Sequence, residues 1–249
     1  MDPHPAHMLT AAVDGARRLV LERRPQAVAA VLGGSTAGGR ASATSDLDIA
    51  VLLADGDVSH RETLRHEGRL AEVFAHTRAG LAEIFAADRA SRRGTMQFVY
   101  AGSVLLHDPH GHAAALRAEA CAQLAAGPDP LTAEERDDAR YRLTDLLDDL
   151  ADLDNRHEQL AVAEQVLISA AGLLADRRRA WRGGGKWLPR RLTAADPVLG
   201  RALVEARLTV AEHADPAPLA EAAFEVLALV GGPLREGYHR TWHGGEKRD

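Results

Sequence analysis

The chain has 249 residues, 46% of them apolar and 4% aromatic, a formal net charge of −6 and one cysteine, Cys121. That apolar content supports a real core and the length allows two domains, while interspersed charges exclude a globally basic nucleic-acid surface. One cysteine excludes an internal disulfide and a cysteine-rich zinc site. The N-terminus lacks a signal peptide's apolar core and no apolar run approaches the roughly 20 residues of a bilayer span, so the cytoplasm is the expected location and no membrane partner is expected.

Met8, Leu9, Ala12, Val13, Ala16, Leu19 and Val20 recur at helical spacing, which predicts an amphipathic helix over 6–24. The period then changes. "AVAAVLGG" is a short β-competent run closed by glycines, and "DLDIAVLL" is a second, so two strands are predicted with a loop between them. A third strand is predicted over 69–77 after a polar connection ending at Gly68, and a fourth over 102–108, stopped by Pro109. Helical periodicity over 78–101 fills the interval between them and completes an α/β unit, residues 1–110.

From 111 to 249 the pattern is helix after helix: 112–126, 132–153, 156–181, 186–193, 197–214 and 216–230. Thr132 with Glu135 three residues on forms a capping box at one start, and Gly183, Gly184 and Gly185 interrupt the run. The expected fold class is therefore an α/β domain with a small mixed sheet and flanking helices, followed by an all-α helical bundle.

The chemistry concentrates in "GGSTAGGRASATSDLDIAVLL". Asp46 and Asp48 stand at i and i+2, so an extended backbone presents both carboxylates on one face while Leu47, Ile49 and Val51 point to the other. Two carboxylates held that close repel unless a cation lies between them, and hard oxygen ligands select Mg²⁺ or Mn²⁺ over zinc. Upstream, Gly33, Gly34 and Ser35 follow a strand. Glycine lets backbone N–H groups approach an anion and the serine hydroxyl adds a donor, which suits a phosphate.

Gly34-Ser35, ten residues, then Asp46-x-Asp48 resembles the nucleotidyltransferase superfamily of polymerase β type, especially the minimal and aminoglycoside nucleotidyltransferases of bacteria. The motif covers about 20 residues, and the α/β unit followed by helices extends the resemblance to the architecture of the whole chain. The resemblance implies that Asp46 and Asp48 bind the metals and that Glu72, 24 residues after Asp48, is the third carboxylate from the next strand. It also implies that Gly34 and Ser35 hold the β- and γ-phosphates. Relatives often carry an arginine two residues after the position of Thr36; this chain has Gly38 there, with Arg40 nearby as the candidate replacement.

Other motifs carry competing readings. Asp145, Asp148 and Glu164 are candidate general bases for an acceptor hydroxyl, although acidic runs on helices are mostly solvated faces. "RRRAWRGGGKWLPRRL" offers Arg182 or Lys186 to a triphosphate, or else plugs Trp181 and Trp187 into the bundle. His76 shares the predicted strand face with Glu72 and reads as a half-buried structural histidine. Arg207 and His213 match the spacing of helical RNases that partner some relatives, a coincidence given the helix end at His213. His239 and His243 lack carboxylate company and read as a frayed tail.

The implied reaction is transfer of AMP from ATP to a hydroxyl of a small molecule such as an aminoglycoside, with the helical domain closing a cleft. The alternatives are nucleotidylation of a protein or of tRNA, which the net acidity disfavours, and a silent nucleotide-binding protein. Antibiotic resistance is the role the small-acceptor reading implies, and a homodimer sharing a cleft is the state seen in some related enzymes.

Overall fold

The computed structural model describes residues 5–40 and 45–241. It divides into two compact units between Pro128 and Asp129. The first unit opens with α1 (Pro5–Arg23), β1 (Ala29–Leu32), the single helical turn α2 (Gly34–Ala37) and β2 (Leu47–Leu52). It continues with β3 (His60–His66), β4 (Arg69–His76), α3 (Arg78–Ala90), α4 (Thr95–Ala101), β5 (Val104–His107) and α5 (His112–Ala126).

The five strands form one sheet in the order β3-β4-β2-β1-β5, mixed because β2 and β4 run parallel while every other pair is antiparallel. β1 and β2 are buried on both faces, which is why they read as near-continuous apolar runs, whereas β4 alternates between buried and half-buried positions along most of its length. On one face Leu32, Ile49, Val51 and Val73 pack with Ala12, Ala16, Leu19 and Val20 of α1. On the other, Val31, Ala50 and Leu52 pack with Leu81 and Phe85 of α3, Met96 and Tyr100 of α4, and Leu116 of α5.

Three expectations are corrected here. The stretch 60–66, read as a connection, is the edge strand β3, whose residues alternate between half-buried and exposed. Its sequence HRETLRH holds one apolar residue, so hydrophobic periodicity could not reveal it. The helix expected over 78–101 is two helices, broken where Arg92 and Gly94 take positive φ values of 60° and 65°. In addition, α5 sits in the first unit, with Ala113, Leu116 and Ala120 in its core, so the division falls after residue 128 rather than at 110.

The second unit is helical: α6 (Ala133–Asp152), α7 (Arg156–Arg177), α8 (Trp187–Ala195), α9 (Leu199–His213) and α10 (Ala217–Leu229). The capping box forms as read, with Thr132 accepting from the Glu135 amide and Glu135 accepting from that of Thr132. Among the described residues α7 is the one helix long and apolar enough by composition to cross a membrane. Here Ala163, Val166, Ala170, Leu173 and Leu174 of α7 are the centre of a core completed by Leu203, Leu219 and Val226.

Candidate functional site

The sheet register assembles the site. Asp48 and Glu72 are direct cross-strand partners in the parallel β2–β4 ladder, and Asp46 lies one residue before β2, two positions from Asp48. Each offers a carboxylate oxygen, and the three atoms lie within 4.8 Å of one another, all on half-buried side chains. Strand alternation puts this trio on the sheet face of Ala50, Leu52 and Phe74, the face that α3, α4 and α5 cover further along.

The Gly-Ser turn is fastened against them. The Gly33 amide donates to the Asp48 carbonyl at 2.7 Å, and the Thr36 hydroxyl, 1% exposed, donates to the Asp46 carbonyl at 3.1 Å. Gly34 has φ of +67°, and a Cβ built on it would stand 1.7 Å from Asp48 Oδ2. A side chain there would occupy the carboxylate's own position, so glycine is required twice, for its backbone and for its missing Cβ. The missing Cβ thus gives room to the Asp48 carboxylate, a use of this glycine separate from any contact of its N–H with a phosphate. Ser35 follows, half-buried, and the Arg40 guanidinium folds back over Gly38, where a Cβ would meet its Nη2 at 2.9 Å.

The donor set fits a hard divalent cation. It consists of carboxylate oxygens, it contains no sulfur or imidazole ligand, and the cradle at Gly34 holds Asp48 in place without a competing side chain. Asp46, Asp48 and Glu72 would hold the ion.

A group that sequence reasoning missed touches one of these carboxylates, Glu72. Arg61 on β3 reaches diagonally across the antiparallel ladder, and its Nη2 donates to both oxygens of Glu72, at 2.8 and 2.9 Å. The same guanidinium lies over the Phe74 ring, 5.0 Å from its centroid. With 60–66 a strand, the β3–β4 register, which pairs Arg61 with Phe74, puts Arg61 and Glu72 on one face, so the signal lay in the register.

The remaining sequence candidates lie elsewhere. His76 is buried, and burial, with a lesser contribution from the charge of His60, holds its imidazole below the usual histidine range. It is a structural residue of β4. In the helical unit Asp145 and Asp148 are both held by Arg235, which also lies over the Tyr141 ring, and Glu164 is held by Arg207 at 2.9 Å. Lys186 is exposed at the start of α8; Trp181 is buried, and Arg190 and Arg191 lie over the Trp187 ring. His213 is exposed beside Glu212, and Arg207 points to Glu164 instead. His239 is exposed, and His243 lies outside the described residues.

Comparison with known proteins follows the same lines. Residues 13–83 match the family model described as "Nucleotidyltransferase domain". Among solved structures the chain is similar to a nucleotidyltransferase-like protein from Exiguobacterium sibiricum 255-15, at 13% identity and a TM-score of 0.44, covering 88% of this chain and 74% of that one. No curated protein matches the chain.

Proposed function

We propose that the chain, whose residues 13–83 match the nucleotidyltransferase domain model, transfers AMP from ATP to a hydroxyl of a small, cationic acceptor of aminoglycoside type. Asp46, Asp48 and Glu72 hold Mg²⁺ or Mn²⁺, and pyrophosphate leaves. The observation that carries the metal half is the trio of half-buried carboxylates converging within 4.8 Å beside a glycine that has no room for a side chain. When bound, a divalent ion supplies neutralisation of the charge shared by attacking and leaving oxygens.

The chain's own groups do the positioning. Gly34 and Ser35 offer backbone N–H groups and a hydroxyl to the β- and γ-phosphates, and the Gly33 and Thr36 hydrogen bonds lock that turn to the strand bearing the carboxylates. Arg40, folded over Gly38, supplies a cation where relatives place theirs. For the acceptor, the helical unit contains an open groove lined by Asp149, Asp152 and Glu158 together with Leu153, Ala161 and Val162. Three carboxylates over an apolar floor suit an amine-bearing molecule. Asp145 and Asp148, each paired with Arg235, and Glu164, paired with Arg207, are the candidate general bases, and the paired arginine must move aside before an acceptor hydroxyl can reach the carboxylate.

The test uses ATP labelled at the α- or the γ-phosphorus, offered with Mg²⁺ and a panel of aminoglycosides. Label from the α position should move to the acceptor and label from the γ position should leave as pyrophosphate, and Asp48→Asn should abolish both while the protein stays folded. Transfer of γ label, or turnover retained in Asp48→Asn, overturns the assignment.

A further inference from the structure

We propose that Arg61 is a positioning residue that makes the carboxylate site take its divalent ion together with a nucleotide rather than alone. The inference rests on the metal reading above and adds to it an order of binding.

Arg61 directs one Nη2 at both Glu72 oxygens, at 2.8 and 2.9 Å, so the lone pairs that an ion would need are already engaged by a cation. Glu72 is the cross-strand partner of Asp48 and belongs to the trio whose ligand atoms lie within 4.8 Å of each other, so the guanidinium stands at the rim of the same cluster. A bare divalent ion entering that cluster must break the charge-assisted pair and then sit beside the displaced positive charge. Both penalties weaken binding of the ion alone.

A nucleoside triphosphate removes both penalties, because its phosphates give Arg61 a new anionic partner while adding oxygens to the ion's coordination. Arg61 is built to make that exchange. Its side chain is 59% exposed against 25% for Glu72, so it can swing without disturbing the core. Its guanidinium also lies over the ring of Phe74, 5.0 Å from the centroid, a second contact on the strand of Glu72 that favours its staying near the site. Coupling of this kind is reciprocal: nucleotide tightens metal, and metal tightens nucleotide.

Mn²⁺ titrations followed by electron paramagnetic resonance measure the coupling without any turnover. Wild type, Arg61→Gln, Arg61→Lys and Asp48→Asn are each titrated alone and with a non-hydrolysable ATP analogue, after circular dichroism has confirmed that each is folded. Arg61→Gln should bind Mn²⁺ alone about tenfold more tightly than wild type and lose most of the gain that the analogue brings, with Arg61→Lys in between. Equal or weaker binding of Mn²⁺ alone by Arg61→Gln, or an undiminished gain with the analogue, overturns the role of Arg61 and leaves the metal site standing. Undiminished Mn²⁺ binding in Asp48→Asn, or none in wild type even with the analogue, overturns the metal reading and the inference together.

Discussion

Gly34 carries the most information per atom in this chain. Its φ of +67° disfavours any side chain, and its absent Cβ is the space that Asp48 Oδ2 fills. Gly34→Ala therefore combines backbone strain, of order 1–3 kcal/mol, with forced displacement of a proposed metal ligand. It should lower the thermal midpoint and remove Mn²⁺ binding together, whereas Asp48→Asn should remove Mn²⁺ binding and leave the midpoint near wild type. Calorimetric scans and Mn²⁺ titrations of the two variants distinguish the effects. The carboxylate pair and the glycine were legible in the sequence because i, i+2 spacing on a strand and a Gly-Ser turn are local patterns. The use of Gly34 was not, since only the tertiary approach of Asp48 reveals it.

Among elements, the strands with two buried faces announced themselves by composition, and the capped helix α6 by Thr132 and Glu135. β3 stayed hidden because Leu64 is the one apolar residue in HRETLRH, and with it went Arg61, the residue that engages Glu72. The start of α9 shows what a polar residue does at a helix terminus. Asp196 accepts from the Val198 and Leu199 amides and from Arg178, and these contacts, the Leu199 bond first, hold its carboxyl below the ordinary carboxylate range. A lowered folded-state pKa means that the stabilisation is fully present at neutral pH, begins to fade below about pH 4 and is lost as the pH falls through the folded value. Urea melts of wild type between pH 7 and pH 3 should show that loss, and Asp196→Asn should be less stable at pH 7 with a shallower acid decline. Parallel profiles for the two proteins would count against the role of Asp196.

At the scale of the molecule, each unit owns a core. The first unit builds two apolar layers around its sheet, and the second surrounds α7 with the other helices of the bundle. The α/β-then-helical order was legible from the switch in hydrophobic period. The placement of the division was not, because α5 is an ordinary amphipathic helix whose allegiance is decided by packing. Leu203, fully buried in the helical core, should cost about 2–5 kcal/mol when truncated to alanine. Calorimetry should show that loss in unfolding, while the Mn²⁺ affinity of the first unit's carboxylates stays at the wild-type value; a parallel fall in both would contradict separate cores.

A metal centre of Asp46, Asp48 and Glu72 working on a nucleoside triphosphate is the proposal on which the others depend. The most direct measurement is anomalous diffraction at the manganese edge from crystals grown with Mn²⁺ and a non-hydrolysable ATP analogue. An anomalous peak is expected within bonding distance of oxygens of all three carboxylates, at about 2.1 Å, the range for small hard cations, with the β- and γ-phosphates on the Gly34–Ser35 turn. An ordered nucleotide whose manganese touches none of the three would contradict it.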